Sequence, residues 1–429
     1  MPQALPATLS DWLAYIERQH TQAIALGLDR LRAVKAALEQ RQHCPVITVG
    51  GTNGKGSTCA MLEAMLTAAG YRVGLYTSPH LLHYNERVRI AGQPVDDATL
   101  CTAFAKVENA RGDVPLTYFE YGTLSAWEAF AAANVDVIIL EVGLGGRLDG
   151  VNIYDADCAI VTGIDLDHMD LLGDTREKIA FEKAGIFRSG KPAICGDDAP
   201  PQTLLDHAAA IGADLQVLGR DFGYIMQTET RQWSWWGRAR NSNESKRGGL
   251  AYPALRGTRQ LANASVVLAA LDTLQDRLPL SMSEIRLGLA RVELPGRFQT
   301  LPGRPVTVLD VAHNPQAARV LADNMLDQGF FNCTWAVFGM LRDKDADAVI
   351  AALKGRIERW LPCTLGGPRG LSAQDLAEKL RAAGEMVESE FDSPHAAYAY
   401  ARDKAARNDR IMAFGSFLTV AEVLTAAHH

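Results

Sequence analysis

The chain has 429 residues, of which 48% are hydrophobic and 22% charged, and its formal net charge is −7. That length exceeds what one hydrophobic core usually supports, so two domains are expected, and the acidic balance argues against a general nucleic-acid binder. No apolar run reaches the roughly 18 residues of a membrane span, the N-terminus lacks a signal-peptide pattern, and the seven scattered cysteines form no C-x-x-C pair. We therefore expect a cytoplasmic protein with reduced cysteines and no zinc site.

Apolar spacing predicts two packing helices near the N-terminus, over residues 8–19 and 21–39. After them comes VITVGGTNGKGST, residues 46–58, in which a buried strand runs into a glycine-dense turn and then into a helix over 58–69. This is the order of a phosphate-binding loop, because glycines let backbone N–H groups converge on phosphate oxygens. The helix N-terminus and Lys55 add positive charge.

The match of this loop to the consensus G-x-x-x-x-G-K-[ST] is imperfect. Val49 occupies the first glycine position, and Gly56 intervenes between Lys55 and Ser57. The alternative interpretation is a glycine-rich strand-to-helix turn with a solvent-exposed lysine. The hydrophobic strand and the helix lie where phosphate binding needs them, which favours the phosphate-binding loop.

Alternating strands and helices continue to about residue 290. Strands are predicted at 71–77, 85–90, 136–140, 158–163 and 192–195, and helices at 97–111, 122–133, 175–187, 260–274 and 282–290. Residues 220–258 are predicted to form an antiparallel excursion, in which Trp233, Trp235 and Trp236 pack a hairpin or, alternatively, form a ligand platform.

Two polar side chains follow predicted strands of this sheet. Glu141 ends the near-continuous apolar strand 136–140, and His168 lies just past strand 158–163. Ligands of open α/β sheets bind outside the carboxyl ends of strands, and an acidic residue there holds Mg²⁺ in phosphate-loop enzymes. The alternatives are a surface glutamate and a structural histidine.

Residues 293–298 are interpreted as a linker. A second series of alternating strands and helices begins after them. Its strands are predicted at 306–309, 335–338, 359–363 and 411–414. Residues 311–315 are predicted to open a helix, and further helices are predicted at 346–353, at 373–383 and at the C-terminus. The predicted fold class is therefore α/β: a mostly parallel sheet domain with the phosphate loop over residues 1–295, and a smaller α/β domain over 296–429.

Ten segments in order resemble the folylpolyglutamate synthase and dihydrofolate synthase family of the Mur ligase superfamily. They are GTNGKGS, TSPHL, TYFEYGTLSA, LEVGLGGRLD, LDHMDLLGDT, EKAGIFR, LPGRFQ, DVAHNPQAA, GMLRDKD and FGSFLTV. The resemblance covers about residues 11–422 and is closest to the bifunctional bacterial type, with a monofunctional folylpolyglutamate synthase as the alternative.

The resemblance implies ATP-dependent amide formation. The carboxylate of dihydropteroate, or of a tetrahydrofolate polyglutamate, would take the γ-phosphate of ATP, and the amine of L-glutamate would displace phosphate from the acyl phosphate. The expected partners are these small molecules, with no nucleic acid and no membrane, and the expected state is a monomer.

The resemblance also implies roles for individual residues. The residues that would cradle the β- and γ-phosphates are Gly51, Thr52, Asn53, Gly54, Lys55, Gly56 and Ser57. Ser78, Glu141 and His168 would bind Mg²⁺, and Lys183 would be carbamylated and hold a second Mg²⁺. Catalytic roles would fall to Lys55, His168 and Lys183. Without the resemblance, Lys183 would be interpreted as a helix-surface lysine paired with Glu182.

Further contacts are implied around the two substrates. Asn263, Arg297, Asp310 and His313 would contact the nucleotide, with Arg297 on the triphosphate and Asp310 on the ribose, while Arg259 replaces a histidine of many relatives. Phe119, Arg147 and Asp149 would lie on the pterin side, and Ser416 near glutamate.

Two other classes of protein compete with this hypothesis. A cell-wall peptide ligase would need an additional N-terminal domain, for which about 45 residues before the loop are too few. A nucleotide-binding switch without ligase chemistry would not need Lys183, Arg297 and Asp310 together.

Overall fold

The computed structural model describes residues 5–22, 24–238 and 244–428. The chain divides into two compact units, one comprising Met1–Ala254 and Leu261–Val292, the other Leu255–Gln260 and Glu293–His429. In the described ranges, no helix is long and apolar enough to cross a membrane.

The first unit is built on a mostly parallel sheet, whose described strands run in the order β4-β3-β2-β5-β1-β6-β7-β8. Their bounds are β1 Val46–Gly50, β2 Val73–Tyr76, β3 Val88–Ile90, β4 Gln93–Pro94, β5 Val137–Glu141, β6 Cys158–Val161, β7 Pro192–Cys195 and β8 Asp214–Val217. The central strand β1 pairs in parallel with β5 and β6. Both β1 and β5 are buried along their whole length, as expected of strands covered on both faces.

Helices cover this sheet. Their bounds are α1 Leu9–Ile16, α2 Asp29–Ala37, α3 Lys55–Ala68, α4 Asp97–Arg111, α5 Tyr118–Ala132, α6 Met169–Leu172, α7 Arg176–Ala184, α8 Gln202–Ile211, α9 Gln260–Thr273 and α10 Met282–Arg291. The core contains large aromatic side chains, among them Trp127 stacked on Tyr154 with ring centroids 3.7 Å apart.

A separate antiparallel sheet follows β8, as the sequence predicts. Its strands are β9 Phe222–Gln227, β10 Gln232–Arg238 and β11 Glu244–Ala251. Trp233 and Trp235 of β10 are buried, and the indole of Trp235 donates a hydrogen bond to the carbonyl oxygen of Ser265 at 3.1 Å. These contacts favour hairpin packing over a ligand platform.

The second unit contains a smaller sheet with the strand order β12-β13-β16-β14-β15. The strands are β12 Gln299–Leu301, β13 Val306–Leu309, β14 Thr334–Phe338, β15 Arg359–Pro362 and β16 Arg410–Phe414, and the helices are α11 Pro315–Asp327, α12 Ala346–Ala352, α13 Ala373–Ala382, α14 Pro394–Lys404 and α15 Phe417–His428. All pairings are parallel except that of β12 with β13. Thus both units present the α/β architecture that the sequence predicts.

Some predicted elements differ from the structure. The described residues 21–22 and 24–28 are not helical, and α2 begins only at Asp29, after Gly27 with its left-handed φ of +128°. Residues 84–87 form a 3₁₀ turn rather than the start of a strand. Glu86 causes this turn by accepting backbone N–H bonds from three residues, 81 to 83.

Candidate active site

The carboxyl ends of β2, β5, β1 and β6 lie along one edge of the large sheet, since these strands are parallel neighbours. The glycine loop leaves β1 at this edge, Ser78 follows β2, and Glu141 is the last residue of β5. The topology therefore brings together residues that are far apart in the sequence, at the edge where open α/β sheets bind ligands.

Two glycines of the loop have backbone geometry that other residues rarely adopt. The φ angles of Gly51 and Gly54 are +140° and +93°. A Cβ on Gly51 would lie 2.0 Å from Thr162 Oγ1, and one on Gly54 would lie 2.8 Å from Asn263 Oδ1. The loop is thus fitted tightly against two side chains, and Asn263 is in contact with it, although the two are about 210 positions apart in the sequence.

Lys55 opens helix α3, earlier than the start at residue 58 that the apolar pattern predicts. Its ammonium donates hydrogen bonds to the carbonyl oxygens of Gly51 and Thr52 at 3.0 and 3.3 Å. Thr52 is itself fixed, since its hydroxyl donates to the carbonyl oxygen of Asp165 at 3.0 Å. Consequently a cation and the N-terminus of a 14-residue helix meet at the loop, which suits a phosphate group.

Glu141 and Ser78 are neighbours at the sheet edge. Glu141 is buried, and its Oε2 accepts the backbone N–H of Ser78 at 3.2 Å. His168 precedes α6 with a left-handed φ of +51°, and its Nε2 is 3.9 Å from a carboxylate oxygen of Asp167.

Glu141, Ser78 and His168 are the candidate ligands of a divalent cation. Among the described residues, no group of three or more His, Cys, Asp or Glu side chains could hold a metal ion. Mg²⁺, however, keeps several waters and needs only one or two protein carboxylates beside phosphate oxygens. A buried carboxylate next to a serine fits that requirement.

Lys183 is buried in helix α7 and is 4% exposed. Burial is the main cause that lowers the pKa of Lys183 to about 7, and the positive charge of Lys55 is the second cause. The alternative interpretation, a surface lysine paired with Glu182, is wrong: the carboxylate of Glu182 accepts instead from the guanidinium of Arg147 at 2.8 Å.

Phe119 and Asp149 lie together against the glycine-rich loop that follows β5. A Cβ on Gly143 would be 2.8 Å from the Phe119 ring and 3.4 Å from Asp149 Oδ2. The Asp149 carboxylate is buried and accepts the backbone N–H groups of Leu144 and Val151 at 2.8 and 3.0 Å. Burial raises the pKa of Asp149 to about 6 despite these bonds. An aromatic face and an acceptor are thus adjacent.

The Arg147 side chain contacts helix α7. Its guanidinium is bonded to Glu182 and lies over the ring of Phe181, 5.3 Å from the centroid. Arg147 also lines a cavity of about 410 Å³ together with Arg32, Asp155 and Arg188.

The second unit has its own cluster at the carboxyl ends of β13 and β16, which are adjacent and parallel. Asp310 follows β13 and is partly buried, and its two carboxylate oxygens accept the backbone N–H groups of Phe298 and Ala312, each at 2.8 Å. Burial raises the pKa of the Asp310 carboxyl, and the charge of Arg297 opposes that shift. One lone pair on each oxygen remains for a ligand.

Phe417, which the sequence analysis did not predict, lies near both Arg297 and His313. The guanidinium of Arg297 lies 5.5 Å from its ring centroid, and the His313 ring lies 6.2 Å from it. Ser416 precedes it, is buried, and accepts the N–H of Leu418 at 3.2 Å. Four predicted residues, Arg297, Asp310, His313 and Ser416, therefore belong to one neighbourhood.

Thr162 and Asp165 were also missed in the first unit. Thr162 Oγ1 donates to the carbonyl oxygen of Asn53 at 2.7 Å, and the backbone N–H of Asp165 donates to Thr52 Oγ1 at 3.0 Å. The available signal was their position after β6, a strand that parallel pairing places beside β1.

The chain thus has two units with mostly parallel sheets, one with a glycine loop that opens a helix and one with polar strand ends, and each unit matches a Mur ligase domain. The model of the Mur ligase middle domain matches residues 49–271, and that of the Mur ligase glutamate ligase domain matches residues 296–417. The chain is 46% identical to the dihydrofolate synthase/folylpolyglutamate synthase of Escherichia coli K12, over 99% of this chain and 96% of that protein. It belongs to the dihydrofolate synthase/folylpolyglutamate synthase family.

Solved structures agree with this assignment. E. coli FolC in complex with DHPP and ADP superposes with a TM-score of 0.93 at 45% identity, covering 100% of this chain and 99% of that one. A bifunctional folylpolyglutamate synthase/dihydrofolate synthase with Mn, AMPPNP and L-glutamate bound superposes with a TM-score of 0.90 at 44% identity, covering 100% of both chains.

Proposed function

We propose that this protein is an ATP-dependent ligase that adds L-glutamate to dihydropteroate, giving dihydrofolate, and to folylpoly-γ-glutamates. The observation that carries the proposal is the glycine loop with Lys55 at the same sheet edge as Glu141. Relatives that match along the whole chain were solved with ADP and DHPP, and with AMPPNP, Mn and L-glutamate. We assign nucleotide and folate binding to residues 1–295 and further nucleotide and glutamate contacts to 296–429.

The loop residues 51–57 bind the β- and γ-phosphates of ATP through backbone N–H groups, and Lys55 neutralises part of their charge. In the structure the Lys55 ammonium donates to the carbonyl oxygens of Gly51 and Thr52 at 3.0 and 3.3 Å, which holds its charge at the loop. Asn263, which is already against Gly54, fixes the shape of the loop. In the second unit, Arg297, Asp310 and His313 contact the nucleotide.

The reaction has two steps. An oxygen of the folate carboxylate attacks the γ-phosphorus, the bond to the bridging oxygen breaks, and ADP leaves with that electron pair. The amine of L-glutamate then attacks the acyl carbon of the acyl phosphate, loses a proton, and inorganic phosphate leaves. Two anions must meet in the first step, so cations near the γ-phosphate lower its barrier.

Ser78, Glu141 and His168 are the residues that we expect to hold Mg²⁺, with a carbamylated Lys183 at a second ion. When bound, Mg²⁺ supplies positive charge to the phosphate oxygens. The burial of Glu141 next to Ser78 supports this assignment, because a buried carboxylate requires a cation or hydrogen-bond donors to offset its desolvation.

The proposal that Lys183 is carbamylated rests on the burial of its side chain near the glycine loop. A buried ammonium is costly unless it is paired, whereas the neutral amine can add to CO₂ and lose a proton to give an anionic carbamate. The lowered pKa of about 7 means that a large fraction of this amine is neutral at physiological pH.

Phe119 and Asp149 form the pterin side of the site. The half-buried ring offers a face for stacking, and the adjacent carboxylate offers acceptors for the N–H groups of a pterin. Arg147, whose guanidinium is half-exposed beside Glu182, is assigned to the negatively charged part of the folate. Ser416 is assigned to glutamate, and we expect the enzyme to act as a monomer.

The proposal is tested by assaying purified protein with ATP, labelled glutamate, and either dihydropteroate or tetrahydrofolate. We expect labelled product and ADP with each acceptor, and no ADP without an acceptor. Turnover with tetrahydrofolate alone would favour a monofunctional folylpolyglutamate synthase. Nucleotide binding without any acceptor-dependent ADP release would reject the ligase.

A further inference from the structure

A cluster of three arginine side chains lies in the C-terminal unit, away from Asp310 and Ser416. Arg304, Arg402 and Arg407 line a cavity of about 680 Å³, together with Gly303, Pro305 and Ala405. That volume is within the range of small-molecule sites. None of the described residues that line it is acidic, although the chain as a whole is acidic, with a net charge of −7.

This cavity is at the opposite edge of the small sheet from Asp310 and Ser416. Arg304 precedes the first residue of β13, and Arg407 precedes the first residue of β16, whereas Asp310 and Ser416 follow the last residues of the same two strands. Because β13 and β16 are parallel, the cavity is at their amino ends. Strands of four and five residues separate the two edges by roughly 13–17 Å.

One of the three guanidiniums is held in position. Arg402 donates to the hydroxyl of Tyr398 at 3.2 Å and lies 5.8 Å from the centroid of that ring. Tyr398 in turn is 3.3 Å from Thr307 Oγ1 on β13. This chain of contacts ties Arg402 to the strand that Arg304 precedes, so less side-chain entropy is lost when a ligand binds.

Two carboxylates that are close in sequence to Arg402 and Arg407 have other partners. Asp403 is paired with Lys404 at 2.9 Å, and Asp409 is buried and accepts the indole N–H of Trp335 at 3.1 Å. The helix dipole at the C-terminus of α14 accounts for basic residues at positions 402 and 404. It does not account for Arg304 and Arg407, which come from two different loops.

We propose that Arg304, Arg402 and Arg407 form a binding site for a small oxyanion with several negative charges, separate from the ligase site. A planar guanidinium presents paired donors that match carboxylate and phosphate groups equally well. Three guanidiniums line the cavity and each can pair with one such group, so a ligand that carries at least two of them fits best, as a diphosphate or a short γ-linked oligoglutamate does.

The test is calorimetric titration of the full-length protein at fixed ionic strength with two probes, pyrophosphate and γ-linked triglutamate. We compare the wild type with the double variant Arg402→Gln/Arg407→Gln. The matched control is Arg381→Gln, which removes an exposed arginine of the same unit that is paired with Glu390 at 2.8 Å. Ligase turnover is measured in parallel to show that each variant is folded.

We expect at least one probe to lose affinity tenfold or more in the double variant, with no change in the control variant and no change in ligase turnover. The probe that binds more tightly identifies the ligand as a phosphate or as a polycarboxylate. The proposal is overturned if the isotherms of the wild type and the double variant superimpose for both probes, or if the control variant loses affinity equally.

Discussion

Burial makes Lys183 the residue whose chemistry is easiest to test. The variant Lys183→Ala removes the amine, and we expect turnover to fall at least a hundredfold and to recover in part when a short carboxylate such as formate is added, since that anion can replace the carbamate. The control Lys178→Ala removes an exposed lysine of the same helix, which is paired with Asp174. Undiminished ADP release by the Lys183 variant would reject the carbamate.

Glu141 permits a test of the metal assignment. Removing its carboxylate by Glu141→Ala should raise the Mg²⁺ concentration for half-maximal turnover at least tenfold, because one of the few oxygen ligands is lost. The exposed Glu177 of helix α7 supplies a control substitution, Glu177→Ala. Superimposable Mg²⁺ titrations of the Glu141 variant and the wild type would remove this residue from the metal site.

The ionisation of Asp149 makes the free energy of unfolding depend on pH. Its folded-state pKa of about 6 is above its unfolded value, so the unfolded state releases this proton at lower pH than the folded state does. The stability that the protonated carboxyl contributes is therefore present at low pH and is lost as pH rises through 6. Between pH 5 and 7.5 this loss is about 1 kcal/mol.

The measurement is the urea-unfolding midpoint of the wild type and of Asp149→Asn at several pH values from 5 to 7.5. Asparagine cannot ionise, so the variant should lack this part of the decline, even if the altered hydrogen bonds lower its stability at every pH. Parallel pH curves for the two proteins would show that Asp149 does not titrate in this range.

At the scale of an element, the glycine loop depends on the contact between Gly54 and Asn263. A methyl group at Gly54 would meet the Asn263 amide at 2.8 Å, whereas one at Gly70, past the other end of the same helix, meets nothing within 4 Å. Both glycines have similar positive φ angles, +93° and +86°, so both alanine variants carry about the same backbone strain of ~1–2 kcal/mol.

We therefore expect Gly54→Ala to raise the Kd for ADP at least tenfold and Gly70→Ala to leave it within twofold of the wild type, as measured by calorimetry. Equal effects of the two substitutions would mean that general destabilisation, and not the shape of the loop, sets nucleotide affinity.

Elements with strong apolar patterns were predicted well from the sequence. Strand β1 and the strand that ends in Glu141 are buried along their length, and burial on both faces leaves a nearly continuous hydrophobic signal. Helix α14 was missed because its apolar face is short, although Ser393 and Pro394 form a recognisable N-terminal cap. Helix α5 begins at Tyr118, four residues before its predicted start, because Thr117 and Glu120 form a capping box.

The candidate site was predictable only in part, because some of its features are local in sequence and others are not. Side chains at strand ends can be identified from the sequence, because the end of a strand is a local feature. The burial of Lys183, the pairing of Glu182 with Arg147 and the position of Asn263 against Gly54 are tertiary contacts over 35 to 209 residues. No local sequence pattern encodes these contacts. The resemblance to a family identified the residues of the site but not the distances and contacts between them.

At the scale of the whole molecule, the two proposed activities have to use one phosphate-binding loop. Within the described ranges, residues 50–57 are the one glycine-dense turn that carries a lysine and opens a long helix. Both reactions begin with attack on the same γ-phosphate. Dihydropteroate and tetrahydrofolate should therefore exclude each other, because each occupies the position from which the carboxylate reaches that phosphate.

This exclusion is measured with saturating ATP and glutamate and with both acceptors present at saturation. We expect the total rate of ADP release to lie between the two separate rates, and each acceptor to inhibit the other competitively. Gly70→Ala should preserve both activities, and Gly54→Ala should lower them by the same factor, since the loop serves both. A total rate equal to the sum of the separate rates would require two independent sites and would refute the single-site arrangement.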